Sequence, residues 1–266
     1  MVDVVGIGSA LMDLTIEVDD AKLEKLNLKK GTMRLVEEET SREILKELAG
    51  LPMAMTPGGS AANTVAGVAC LGGKALFIGK VGDDEYGERY RRDSEELGVV
   101  TRLGRVGAMT GNAITLITPD LERTFAVHLG AALTISPSDV SEEDIKNSRI
   151  FHVEGFLLEL EMKKASLRAL EIARANGVRI SVDFSDPALI ARNLEEFRRI
   201  AREYVDICFV NETEAEAFTG KKPEDALDEI STLCQIAVVK LGAGGSLIRA
   251  AGRTYRVPPY AVDVIN

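Results

Sequence analysis

Three loops carry side chains whose types and spacing suit chemistry. In PGGSAANTVAGVACLGG (Pro57–Gly73) the paired Gly58 and Gly59 permit positive φ and a close approach of ligand to backbone. A Walker loop needs a lysine that reaches the β- and γ-phosphates, and none follows here, so this is not a loop of that kind. Two readings stay open. One is a tightly packed helix start, with Ser60 as cap and Asn63 three residues on at the capping-box position. The other is a grip on a neutral polyol by the Gly59 N–H and the Asn63 amide.

The second loop, NETE (Asn211–Glu214), falls where a strand becomes a helix. Asn at the cap with Glu three residues on is itself a capping box. The same carboxylate could stand near a water-ligated magnesium ion, and both roles are compatible. In the third, KLGAGGS (Lys240–Ser246), the glycines suit either a backbone nest for a nucleotide or a hairpin turn into SLIRAAGRTYRVP. Gly6 and Gly8 of VVGIGSALMD invite a dinucleotide reading. The third glycine is missing and no helix follows directly, so a strand and loop ending in Asp13 fits better. Asp13 at the end of this run suits a turn, or a carboxylate offered to ligand hydroxyls. Arg123, at a hairpin tip, is either a solvated charge or a group that reaches a transferring phosphoryl.

These loops need elements to hold them, and apolar runs alternate with helical patterns along the chain. Buried strands are predicted at Val2–Gly8, Ala75–Gly82, Arg149–Leu158, Arg179–Pro187, Asp206–Val210 and Ile236–Gly242. Helices are predicted at Ser41–Gly50, after Ser60, at Asp84–Gly98, around Met162–Asn176, over Leu189–Tyr204 and after Asn211. The alternation predicts an α/β fold: a doubly wound, mostly parallel sheet with helices on both faces. Ligands gather at the carboxyl ends of such strands. Two inserts break the pattern, with Leu14–Asp20 and Gly31–Glu38 in one, and Gly111–Asp120 and Glu122–Gly130 in the other. Their polar–apolar alternation predicts four half-exposed antiparallel strands in one small sheet, a lid. The expected division is a core of residues 1–12, 39–98 and 130–266 and a β lid of residues 13–38 and 99–129.

Composition narrows the partners. A net charge of −10 over 266 residues argues against broad nucleic-acid binding, and 5% aromatic content gives no stacking platform. No apolar run reaches membrane-span length. Two histidines make a zinc site a poor expectation. Cys70, Cys208 and Cys234, odd in number and set among apolar residues, suggest buried thiols in a reducing cytoplasm.

Taken together, VVGIGSALMD, PGGSAANTVAG, VGDDEYG, TGNAITLITPD, VNETEAEAFTG and VVKLGAGGSLI, in this order, resemble the ribokinase-like, or PfkB, family of carbohydrate and nucleoside kinases. The resemblance covers the chain and is similar in its N-terminal run to the adenosine-kinase-like branch. It implies transfer of phosphate from ATP, with Mg²⁺, to the primary hydroxyl of a nucleoside or sugar. By the same resemblance Asp13, Gly58, Gly59 and Asn63 hold substrate hydroxyls, and Asn211 and Glu214 order magnesium and phosphate. Lys240, Gly242 and Gly245 belong to the nucleotide loop, and Arg123 is a lid arginine that meets phosphate. The implied partners are a small-molecule substrate, with no nucleic acid and no membrane, in a monomer or a lid-mediated homodimer. Ribose, fructose and other nucleosides stay open as acceptors, as does a non-catalytic binding module. One departure stands out. The family's TTGAGD run, which supplies the catalytic base and an anion hole, is absent, and the chain stops at YAVDVIN where that run is expected to begin. A truncated core is the expectation.

Overall fold

A computed structural model describes residues 1–261. The expected approach to a TTGAGD run, in the last residues of YAVDVIN, lies outside them. The described residues form two compact units, one of Met1–Ile7 with residues 136–261, the other of Gly8–Ile135.

Strand β1 (Val2–Ile7) opens the first unit. The second unit then runs through β2 (Leu11–Glu17), α1 (Asp20–Lys25), β3 (Met33–Leu35), α2 (Glu38–Glu47), β4 (Met53–Gly58) and α3 (Ser60–Cys70). It continues with β5 (Ala75–Gly82), α4 (Glu85–Glu96), β6 (Val99–Val106), β7 (Gly111–Ile117) and β8 (Arg123–His128). β5 and β6 pair in parallel, from Ala75 opposite Val99 to Gly82 opposite Val106. The small sheet has the order β3-β8-β7-β2-β4. It therefore contains five strands rather than four, because MAMTPG joins as an edge whose proline and glycine had disguised it. It is also mixed rather than antiparallel. β2 runs parallel to β7 and β3 parallel to β8, while β4 and β8 are antiparallel to their neighbours β2 and β7. Parallel neighbours here come from separate inserts, whose long connection permits the crossover that a hairpin forbids.

The period of two sorts this sheet's faces. Met12, Leu14 and Ile16 are buried, as are Ile114, Leu116 and Ala126, and α2 closes that side with Ile44 and Leu48. Asp13 and Thr15 share the other, half-exposed face with Ala113, Thr115, Phe125 and Val127.

In the first unit follow α5 (Glu142–Lys146), β9 (Ser148–Glu154), α6 (Met162–Ala175), β10 (Arg179–Asp183), α7 (Pro187–Arg192) and α8 (Leu194–Glu203). The last are β11 (Ile207–Asn211), α9 (Glu212–Thr219), α10 (Pro223–Ile230), β12 (Ile236–Lys240), β13 (Ser246–Ala250) and β14 (Arg253–Val257). The strands lie in the order β14-β13-β12-β11-β10-β9-β1. All neighbours from β12 to β1 are parallel, and β13 and β14 extend the sheet as antiparallel hairpins. The long predicted helix over Leu189–Tyr204 is two helices, broken at Asn193, whose amide reaches the Leu189 carbonyl and the Glu159 carboxylate. The strand predicted to run to Leu158 ends at Glu154, and Gly155–Leu158 turn as a 3-10 helix. Phe184, Phe197 and Phe218 meet edge to face in this unit's core, with centroids 5.1 and 4.9 Å apart.

Among the described residues no helix is long and apolar enough to cross a membrane. Of the thiols expected to be buried, Cys208 is; Cys70, the last residue of α3, is exposed.

Candidate functional site

Two groups of candidate residues form, one in each unit. In the unit Gly8–Ile135, β2 and β4 pair so that Leu11 faces Gly58 and Asp13 faces Thr56. A β-carbon on Gly58 would overlap the Asp13 carboxylate. Gly59 then turns the chain with φ of 100° and stands as the N-cap of α3, where a β-carbon would strike the Ser9 carbonyl. Ser60 is consequently the first residue of the helix and not its cap. Asn63 sits in the first turn, exposed, and its backbone N–H donates to the Gly59 carbonyl at 2.8 Å. The fully buried Tyr90 of α4 donates its hydroxyl to the Gly58 carbonyl at 2.9 Å and braces the turn from behind.

Burial raises the Asp13 carboxyl from its ordinary 3.8 to about 6. A half-buried carboxylate beside a glycine with no side chain is an acceptor of hydrogen bonds from hydroxyls, and a poor neighbour for phosphate. Arg123 is not brought to this group. It opens β8 opposite Ile117, four strand positions from the Ala113 row that neighbours Asp13, roughly 13 Å along the strands.

The first unit gathers the other candidates at adjoining strand ends. Asn211 closes β11 and faces Lys240, which closes β12. Asn211 caps α9 with its side-chain oxygen on the Glu214 N–H at 2.8 Å. Glu214 returns both carboxylate oxygens to Asn211, accepting from its backbone N–H and its amide at 2.7 Å each. The capping box is therefore complete. Only 2% exposed, the Glu214 carboxyl is raised chiefly by burial, against the Asn211 N–H, with Asp183 adding and Lys240 opposing.

KLGAGGS makes the turn between β12 and β13 rather than a free-standing nest. The Leu241 N–H bonds the Gly245 carbonyl at 2.8 Å, and the Gly244 and Gly245 amides bond back within the turn. Gly242 takes φ of 52° and is exposed at its crest. Gly245 has a packing reason as well, since a β-carbon would meet the Val257 carbonyl.

Asp183 is the group that sequence reasoning passed over. It ends β10, and its Oδ2 accepts from the Lys240 Nζ at 2.6 Å. A polar residue closing an apolar strand was the available signal. His152 lies on the same sheet, its Nδ1 3.0 Å from the Ser181 Oγ, and burial lowers it to about 4, which keeps it neutral at pH 7.

Whether a magnesium ion fits can be read from the donor set. Among the described residues no three His, Cys, Asp or Glu side chains form a metal cage. Magnesium commonly takes one or two carboxylates, several waters and substrate phosphates. With both Glu214 oxygens engaged, Asn211 and Glu214 suit that outer, water-bridged role.

A family model described as pfkB family carbohydrate kinase matches residues 2–266. Guanosine-inosine kinase of Escherichia coli strain K12 is 26% identical over 282 residues, covering 99% of this chain and 65% of that protein. Fructokinase-1 of Oryza sativa subsp. japonica is 32% identical over 224 residues, covering 79% of this chain and 68% of that protein. The crystal structure of adenosine kinase from Sinorhizobium meliloti matches with a TM-score of 0.88 at 33% identity, covering 100% of this chain and 82% of that one. The chain thus spans 65% to 68% of the length of these two curated relatives.

Proposed function

This chain belongs to the pfkB family of carbohydrate kinases, and from that premise we propose that the protein transfers the γ-phosphate of ATP to the primary hydroxyl of a nucleoside, adenosine first. The observation that supports the acceptor side is the Gly58–Gly59 turn packed against the half-buried Asp13 carboxylate, so close that Gly58 has no room for a β-carbon. Asp13 accepts hydrogen bonds from the acceptor's hydroxyls, while the Gly59 N–H and the Asn63 amide orient it. Lys240 and the turn with Gly242 and Gly245 receive the donor nucleotide.

Asn211 and Glu214 would meet the magnesium ion that travels with the donor phosphates, through water. When bound, that ion neutralises charge on the transferring phosphoryl group. Arg123, which opens β8 away from the Asp13 row, is assigned to phosphate rather than to the acceptor's hydroxyls. Three free cysteines are consistent with work in the cytoplasm.

The likeness to Fructokinase-1 favours a ketohexose as the second acceptor class. The test is phosphoryl transfer by the intact protein from γ-labelled ATP to a panel of adenosine, guanosine, inosine, ribose and fructose. Labelled adenosine monophosphate is the expected product. Labelled fructose phosphate alone moves the assignment to the sugar, and ATP binding with no labelled alcohol in the panel overturns the kinase reading.

A further inference from the structure

We infer that Asp183 is a positioning residue that holds the Lys240 ammonium across the end of β11, where the lysine meets the donor's polyphosphate. This rests on the reading of Lys240 as a donor contact. Asp183 and Lys240 end strands β10 and β12, with β11 between them, so the two strands stand roughly 10 Å apart. By register Asp183 faces Phe209, and Lys240 lies two positions further along, opposite Asn211. The lysine must therefore run back over β11 to reach its partner, and it does so at 2.6 Å.

Asp183 is itself fixed from behind. Its Oδ1 accepts from the Ser185 N–H at 2.9 Å, and Ser185 holds φ of 71°, a region that non-glycine residues rarely occupy. The Gly155 N–H donates to the Ser185 Oγ at 3.0 Å, and Gly155 has no room for a β-carbon because the Phe184 carbonyl lies against it. The strained turn and its glycine lock thus aim one carboxylate oxygen at Lys240 and keep the other occupied.

The pair is not explained as a stabilising surface bridge. Lys240 is 44% exposed and Asp183 21%, and exposed pairs contribute little to folding. What the carboxylate does supply is order. A lysine carries three donors, of which Asp183 takes one, and its four-carbon stem is otherwise mobile.

The experiment titrates ATP, ADP and AMP into the intact wild-type protein, Asp183→Asn, Lys240→Met and the double variant, by calorimetry. Asn keeps an oxygen for the Ser185 N–H, and Asp183→Ser serves as a second variant should Asp183→Asn not fold. Lys240→Met should weaken ATP about tenfold or more, as loss of a charge-assisted hydrogen bond does, and AMP hardly at all. Asp183→Asn should weaken ATP about fivefold, the cost of ordering one flexible side chain, with AMP and acceptor affinity unchanged. The double variant should be no weaker than Lys240→Met. The ratio of ATP to AMP affinity within each variant is a readout that general loosening of the fold does not move.

If Asp183→Asn binds ATP as tightly as the wild type, or tighter, the carboxylate only screens the lysine and the inference falls. Wild-type ATP binding that both variants share unchanged removes the inference and leaves donor binding to the turn. A wild-type protein that binds no ATP overturns the donor reading and this inference with it.

Discussion

Asp13 sits where stability and binding pull in opposite directions. Its folded-state carboxyl titrates near 6, above its ordinary 3.8, because burial disfavours the charge. A group raised in this way leaves stability intact below pH ~4 and costs it progressively as pH rises through ~6, approaching about 3 kcal/mol at neutral pH. Asp13→Asn should therefore stabilise the protein by a few kcal/mol at pH 7.5 and by little at pH 4.5, measured by urea unfolding at both. The same variant should lose acceptor affinity by about tenfold or more, since charge-assisted hydrogen bonds from hydroxyls go with the charge. Wild-type acceptor affinity should itself weaken as pH falls below ~6. Glu214 offers a second separation. Gln keeps one oxygen for the Asn211 N–H but turns its NH2 toward the Asn211 amide, so Glu214→Gln should cost about 1 kcal/mol of stability. The magnesium titration of kcat should nonetheless shift to higher concentration; an unchanged titration would leave Glu214 as a helix cap and nothing more.

At the scale of elements, the glycine turn makes the sharper demands. Gly59→Ala combines a φ of 100° with a β-carbon driven onto the Ser9 carbonyl, and should destabilise the protein by about 2 kcal/mol or more. Gly58→Ala instead presses on the Asp13 carboxylate, so the KM for the acceptor should rise while the KM for ATP stays put. A matched rise in both would point to general damage. This is also where legibility in the sequence divides. The capping box at Asn211 and Glu214 was readable because both partners lie within one turn of helix, and spacing alone specifies the contact. The cap of α3 was misread because Ser60 has the right side chain, whereas Gly59 has the backbone freedom the turn requires. Edge strand β4 hid behind a proline and a glycine, and the parallel pairing of β2 with β7 depends on which distant segments meet. Local pattern carries no such information.

For the whole molecule, the sequence alternation foretold a largely parallel sheet and a second small one, because buried strands and amphipathic helices each bear their own period. Contacts between distant positions were out of its reach. Asp183 and Lys240 are separated by 57 residues and meet only through strand order, and Tyr90 braces Gly58 across 32. Each unit carries one candidate group: hydroxyl-accepting around Asp13, and phosphate-facing around Lys240. If that division of labour is right, single substitutions should uncouple the two ligands. The most direct measurement is a pair of calorimetric titrations of Asp13→Asn in the intact protein, one with adenosine and one with ATP. The account predicts adenosine affinity reduced about tenfold or more and ATP affinity unchanged. Retained adenosine binding, or an equal loss of ATP, would contradict it.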